Sequence, residues 1–163
     1  MGCDIHLFAE VKPRRTLLHR IVFFWKKTKW KNIDRWTKNK YFEPGNGEPF
    51  LEIESENRFY TGGRSYNLFS ALCGVRSECF NDPVSISEPR GLPDDVSQEV
   101  LEESQSYGSD GHSHNWNTLK ELKEFDWSSY GNTTDRFLNE VIPKMESQGV
   151  KDDEVRIVYF FDN

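Results

Sequence analysis

Apolar and polar residues alternate along the first eleven positions of the chain. The apolar positions repeat with a period of two: Cys3, Ile5, Leu7, Ala9 and Val11. Asp4, His6 and Glu10 fall on the opposite face, because successive side chains of a strand point to opposite sides. The pattern therefore predicts a strand over 3–12, which Pro13 ends.

The last segment of the chain predicts a second long strand. Residues 154–162 are almost continuously apolar, from Val155 to Phe161. Consecutive apolar residues are typical of a central strand that is buried on both faces. We expect this closing strand to pair with the first strand, since the chain offers neither of them another long partner.

Shorter elements are predicted between these two strands. Alternating residues over 29–37 predict an edge strand, and 50–53 and 58–60 are short strand candidates. A turn is expected at 44–47, where the sequence reads Pro-Gly-Asn-Gly. Residues 16–25 fit either a strand or a short amphipathic helix, which periodicity does not separate.

Helical spacing and capping residues predict four helices. They are expected from Ser65 to Gly74, over 96–103 after Asp95, over 116–125, and over 134–148 with a bend at Pro143. Strands come first, helices follow, and a strand returns at the end. This order predicts a single α+β domain, with three or four helices against a mixed or antiparallel sheet.

Composition places limits on the class of protein. The chain has 163 residues, of which 36% are apolar and 14% aromatic, so one domain with an aromatic-rich core is expected. Three cysteines without a CxxC spacing predict free thiols in a reducing compartment. The apolar run over 17–25 is interrupted by charge and too short to cross a bilayer. We expect a cytoplasmic protein without a membrane span.

Basic charge is concentrated near the N-terminus. Residues 12–40 contain eleven Lys and Arg against one acid, so the rest of the chain carries a net charge of −16. Aromatic residues alternate with these cations: Trp25, Trp30, Trp36 and Tyr41. Such a pattern suits single-stranded nucleic acid or an acidic host protein, which makes 13–41 a candidate interaction segment. Alternatively, the aromatics of a hairpin pack inward and its lysines face the acidic remainder.

Three of the four histidines lie in two polar stretches that predict a metal site. The first contains Asp4 and His6, two residues apart on one strand face and about 6–7 Å apart at Cα. The second contains Asp110, His112 and His114, where Gly111 gives the backbone freedom. Imidazole and carboxylate ligands suit a divalent ion such as Zn or Mn, which would activate water for hydrolysis.

In this hypothesis Asp4, His6, His112 and His114 hold the metal, and Asp110 and His112 are the catalytic pair. The prediction assumes that the two stretches meet in space, which the sequence does not establish. The alternative is structural, with Asp4 in a turn and Asp110 at the start of the next helix.

Three arginines and a tyrosine predict an anion site. Arg64 precedes a helix N-terminus, where free backbone N–H groups favour negative charge, and Tyr66 follows it. Arg76 follows the end of the same helix, and Arg90 lies in a loop stiffened by proline. Guanidinium groups on phosphate oxygens, with a ring on a base, would bind a nucleotide-like ligand. The alternative is that these arginines pair with acidic residues and fix loops to the body.

Several long motifs resemble a family of small phage and prophage proteins of uncharacterised function. The chain begins Met-Gly-Cys-Asp-Ile-His, and it contains Arg-Gly-Leu-Pro-Asp-Asp over 90–95 and Asp-Gly-His-Ser-His over 110–114. The similarity covers most of 1–12 and 30–127 and implies a phage or mobile-element origin, but no activity. Residues 13–29 look like a basic insertion, where members of the family have a short turn.

Two functions follow as hypotheses. In the first, a phage accessory protein binds a small anionic, nucleotide-like ligand and hydrolyses it with a divalent metal, which would counter host defence. In the second, a non-enzymatic module binds a host protein or single-stranded nucleic acid through 13–41.

Overall fold

A computed structural model describes residues 2–13, 29–39, 51–80 and 82–163 of the chain. The predicted element at 16–25, the turn at 44–47 and most of the basic insertion lie outside these residues.

The described residues form an α+β fold, as the order of predicted elements indicated. In chain order the strands and helices are β1 (Asp4–Val11), β2 (Lys31–Asn32), β3 (Thr37–Lys38), β4 (Leu51–Glu52), α1 (Tyr66–Cys73), α2 (Gln98–Ser106), β5 (His112–Thr118), α3 (Leu119–Glu124), α4 (Asp135–Glu146) and β6 (Val155–Asp162). Short 3-10 segments lie at Ser55–Asn57, Ser77–Cys79 and Trp127–Thr134. None of the helices in this part of the chain is long and apolar enough to cross a membrane.

Four antiparallel strands form the main sheet, in the order β2-β1-β6-β5. The predicted pairing of the terminal strands is confirmed: β1 and β6 pair along their whole length, from Asp4 opposite Asp162 to Val11 opposite Val155. β6 is central, and its residues 155–161 are all buried. The strands β3 and β4 form a separate two-stranded ribbon.

The two faces of the main sheet carry two cores. The larger core packs α1, α3 and α4 onto one face, through side chains that include Leu7, Phe69, Leu122, Phe137, Val141, Ile157 and Phe161. The smaller core covers the other face, through Phe8, Val100, Val158 and Phe160, with Trp36, Ile53 and Tyr107 around them. Alternation along β1 therefore assigns Leu7 to one core and Phe8 to the other, as the period of two requires.

A buried ion pair crosses the central strands. Glu10 of β1 lies opposite Arg156 of β6, and the Glu10 carboxylate accepts hydrogen bonds from Arg156 Nε at 2.8 Å and Nη2 at 2.7 Å. The other Glu10 oxygen accepts from the Ser97 N–H at 2.7 Å. Arg156 also donates to Asp95, and its guanidinium lies 3.9 Å from the Trp30 ring centroid. The pair therefore joins two strands, the 29–39 segment and the start of α2.

The Asp34 carboxylate takes the place of a backbone carbonyl partner for β1. It accepts hydrogen bonds from the N–H groups of Ala9 at 3.0 Å and Phe59 at 2.7 Å. Burial raises the pKa of Asp34, and these two N–H donors act in the opposite direction. The chain bends at Asp34, so the edge strand predicted over 29–37 does not form as one element. Two short strands, β2 and β3, lie on either side of the bend.

One predicted helix begins later than expected, and one predicted strand was wrong. Residues 116–118 belong to β5 rather than to a helix, and α3 begins only at Leu119. The cause is a capping box: Thr118 Oγ1 accepts from the Glu121 N–H, and the Glu121 carboxylate accepts from the Thr118 N–H. The strand expected at 58–60 does not form, since a 3-10 turn precedes it and Phe59 bonds to Asp34.

The other helices lie close to their predicted positions. α1 is capped by the Ser65 hydroxyl and ends at Gly74, whose φ of 76° is left-handed. α2 starts after Ser97 rather than Asp95, and α4 contains Pro143 as expected.

We predict that Arg156→Met lowers the free energy of unfolding by about 3–5 kcal/mol, because the Glu10 carboxylate then stays buried without its cation. Arg136→Met is the matched control, since Arg136 is exposed and its ion pair among the described residues is with Glu140 at 3.8 Å. The control should lose less than about 1 kcal/mol. Urea unfolding followed by circular dichroism measures both variants, and equal losses would contradict the structural role of the pair.

Candidate ligand-binding site

Asp4 is held by an arginine rather than left open for a metal. Arg64 Nε donates to Asp4 Oδ1 at 2.6 Å, and Nη2 donates to Oδ2 at 2.7 Å. Both side chains are about half exposed. Hydrogen bonding to Arg64 is the main reason that the pKa of Asp4 is lowered. Two predicted site residues therefore meet, but they neutralise one another.

His6 is buried between aromatic rings. Its ring centroid lies 4.3 Å from that of Tyr107 and 4.8 Å from that of Phe160. His6 Nε2 is 3.4 Å from Asp162 Oδ2, and neither ring nitrogen forms a hydrogen bond within the described structure. Its surroundings are those of a packed core side chain with an acidic neighbour.

A β-bulge separates the two histidines of β5. His112 lies opposite Phe161 and Asn115 lies opposite Tyr159, so two residues of β5 face the single Phe160 of β6. Ser113 takes up the extra residue with a φ of 50°, which non-glycine residues rarely adopt.

As a result, the two imidazoles lie on opposite faces of the sheet. The His112 ring packs on Phe161 in the larger core, with centroids 6.1 Å apart. The His114 ring packs on Phe160 in the smaller core at 5.3 Å, and its Nε2 is 2.8 Å from Ser104 Oγ. The structure does not bring the two rings together, because the bulge turns them to different faces.

Asp110 is exposed in the turn before β5. The described residues contain no group of three or more His, Cys, Asp or Glu side chains arranged to hold a metal. The divalent metal and the catalytic pair of Asp110 and His112 stay predictions.

The predicted arginines do not form one clamp. Arg76 lies near the start of β1, close to the Cys3 thiol. Its Nη2 donates to Asn163 Oδ1 at 3.5 Å, and its guanidinium lies 5.8 Å from the Tyr66 ring. Arg90 lies beside β5, where its guanidinium donates to Glu121 Oε1 at 2.6 Å and lies 4.9 Å from the Trp116 ring. Arg64, Tyr66 and Arg76 therefore gather around the start of β1, and Arg90 does not join them.

A cavity that the sequence did not predict lies between α1, the 83–89 loop and the bulge of β5. Its volume is about 310 Å³, and we call it the serine cavity. It is lined by Ser70, Cys73, Gly74, Val75, Ser77, Pro83, Ser85, Glu88, Pro89 and Ser113. The serines are spread over residues 70–113, and no sequence motif links them. The left-handed backbone of Ser113 becomes visible only in the structure.

A buried polar network supports the wall of this cavity. The Tyr159 hydroxyl accepts from Asn115 Nδ2 at 3.0 Å and donates to Asn117 Oδ1 at 2.7 Å. Asn115 Nδ2 also donates to Ser87 Oγ at 2.9 Å. The Ile86 N–H donates to the carbonyl of Ala71 in the last turn of α1. The 83–89 loop is thus attached both to β5 and to the C-terminal end of α1.

The thiol in the cavity is unsuited to nucleophilic chemistry. Burial raises the pKa of Cys73 to about 11, so the side chain stays a neutral thiol at neutral pH. Of the lining hydroxyls, Ser70 bonds to Tyr130 at 3.1 Å and Ser113 bonds to His112 Nδ1 at 3.0 Å. The lining therefore offers hydroxyl groups for hydrogen bonding and the negative charge of Glu88.

Comparison with known proteins gives no match: no family model fits the chain, and neither a curated protein nor a solved structure is significantly similar to it. The resemblance to phage proteins stays a prediction.

We predict that stability falls as the pH drops below about 6.5, and that His114 contributes to this fall. Burial, with His112 nearby, lowers the pKa of His114 from its usual 6.5. As the pH falls, His114 is protonated first in the unfolded chain, near pH 6.5. This protonation favours the unfolded state, so the free energy of unfolding decreases until the pH reaches the lower pKa that His114 has in the folded protein.

The variant His114→Gln keeps an amide near Ser104 but does not titrate, so its stability should depend less steeply on pH between about 5 and 7. Ser104→Ala is the control, since it removes the hydrogen bond and leaves the ring titratable. Urea unfolding across this pH range checks both, and an unchanged slope in His114→Gln would show that other groups are responsible.

Proposed function

We propose that the protein binds a small hydroxyl-bearing molecule with a cationic group in the serine cavity. The observation that carries this proposal is the cavity itself, with hydroxyl groups and one carboxylate around a volume of about 310 Å³. Small-molecule sites are concave, of roughly 300–1,000 Å³, and contain a few polar groups that fix the orientation of the ligand.

The electrostatics of the cavity favour a positive charge. The last turn of α1 borders it through Cys73 and Gly74, and a helix C-terminus carries partial negative charge. Glu88 adds a full negative charge at the rim, and the lining residues include no Lys or Arg. An ammonium group beside Glu88 would therefore be stabilised, whereas a phosphate there would be repelled.

The hydroxyl groups define the rest of the ligand. Ser77 and Ser85 line the cavity, and no hydrogen bond joins either side chain to a described residue. Because a hydroxyl both donates and accepts, these two serines suit a ligand with hydroxyl groups of its own. The polar network behind the cavity wall holds the 83–89 loop, which carries Ser85, and this lowers the entropic cost of binding.

This ligand differs from the anionic one that the arginines predicted. Arg64 is neutralised by Asp4, and Arg90 by Glu121, so neither guanidinium is free for a phosphate. The proposal concerns binding and assigns no chemical step to the Cys73 thiol, because burial raises its pKa to about 11. Hydrolysis with Zn or Mn, a role against host defence and binding through 13–41 stay predictions.

The test is protein-observed NMR with glucosamine, glucose and adenosine monophosphate as probes. Glucosamine carries hydroxyls and an ammonium group, glucose carries hydroxyls only, and the nucleotide is anionic. We expect glucosamine to bind most tightly and to shift the resonances of Ser77, Ser85 and Ser113. The nucleotide should leave these resonances unchanged.

Glu88→Gln should weaken glucosamine binding about tenfold, which corresponds to about 1.4 kcal/mol. Glu78→Gln is the matched control, because Glu78 is an exposed glutamate nearby that does not line the cavity. Equal weakening in both variants, or shifts of these serines by the nucleotide alone, would reject the proposal.

A further inference from the structure

A second concave surface lies on the opposite side of the sheet, between the β3–β4 ribbon and α2. Its volume is about 700 Å³, and we call it the acidic groove. It is lined by Trp36, Leu51, Glu52, Ile53, Arg58, Glu99, Glu102, Glu103 and Ser106. Four carboxylates thus surround an apolar floor, with one guanidinium among them.

The glutamates of α2 form a single face. Glu99, Glu102 and Glu103 are spaced at i, i+3 and i+4, which brings them to one side of the helix. Gln98 donates a hydrogen bond to Glu102, and Asn39 donates one to Glu52. None of the four carboxylates forms an ion pair with a described Lys or Arg.

The four carboxylates of the groove differ from several other described carboxylates that form ion pairs. Examples of such pairs are Asp4 with Arg64, Glu121 with Arg90 and Glu146 with Lys123. Like charges on one helix face are destabilising when nothing compensates them. Among the described residues, four carboxylates and the single guanidinium of Arg58 line the groove, so its net charge is negative.

The floor of the groove is apolar and fixed. Leu51 is 40% exposed, which is unusual for a large apolar side chain among the described residues. The Trp36 ring stacks on Phe8 at 5.8 Å, and its Nε1–H donates to Asn32 at 2.9 Å. A preformed apolar floor between charged walls favours a ligand that is both aliphatic and charged.

We propose that the acidic groove docks a basic segment of a partner protein, in which Lys or Arg residues flank aliphatic side chains. The cations would pair with the glutamates of α2, and the aliphatic groups would cover Leu51 and Ile53. Nucleic acid does not fit, because its phosphates would meet the same carboxylates. This proposal is independent of ligand binding in the serine cavity.

The experiment measures binding of a short synthetic peptide of alternating lysine and leucine by fluorescence anisotropy. We expect saturable binding that weakens with salt, since charge attraction contributes to it. The triple variant Glu99→Gln, Glu102→Gln and Glu103→Gln should weaken binding at least about tenfold, and Leu51→Ser should weaken it by a smaller factor.

The matched control removes three exposed carboxylates outside the groove: Glu78→Gln, Glu124→Gln and Asp153→Asn. It changes the net charge equally, so it should alter the affinity less than about twofold if the site is local. Circular dichroism confirms that each variant folds. Equal weakening by both triple variants, or no saturable binding at low salt, overturns the proposal.

A peptide of lysine alone tests the apolar floor, because it should bind more weakly than the lysine–leucine peptide. The groove could instead be occupied by a second copy of this chain. Analytical ultracentrifugation of the protein alone, which measures its oligomeric state, tests this alternative. A dimer that the groove variant abolishes and the control preserves would replace the partner protein with self-association.

Discussion

The buried pair of Glu10 and Arg156 is the interaction on which the rest of the structure depends. The two residues lie opposite one another on the central strands, so their bonds are compatible with only one register. Each is also bonded beyond the sheet, Glu10 to the Ser97 N–H and Arg156 to Asp95. Desolvation makes such a pair costly unless its hydrogen bonds are satisfied, and here several are. Correct strand alignment and the docking of α2 are therefore coupled.

The polar residues of the sheet mostly serve this architecture rather than chemistry. Asp34 replaces a missing strand partner, and Asn115 and Asn117 bind the Tyr159 hydroxyl inside the core. A polar group that is buried without a hydrogen-bond partner costs free energy. Asp34, Asn115 and Asn117 therefore disfavour any packing of the chain that would break their hydrogen bonds. Polar groups that remain available to ligands lie where loops meet the ends of these elements, at the serine cavity and the acidic groove.

Sequence patterns predicted the strands well and the sites poorly, for a physical reason. Periodicity is local, so the alternation in β1 and the apolar run in β6 indicated two strands, their burial and their pairing. The partners of Arg64 and Arg90 are 60 and 31 residues away, and no local pattern encodes which carboxylate each will meet. The bulge at Ser113 is equally hidden, because a single inserted residue leaves no periodic trace. It nonetheless decides that two neighbouring histidines face different cores.

That bulge also determines which changes of length the chain tolerates. Side chains change face with every residue, so losing one residue between Asn115 and Thr118, where pairing with β6 is regular, would turn the following side chains to the other face. Losing one of the two bulge residues would instead restore regular pairing and leave Asn115 opposite Tyr159. The turn around Gly108, by contrast, is exposed and lies before the strand begins. Changes of length should therefore accumulate ahead of β5 or at its bulge, and be absent from the regular part of the strand after Asn115.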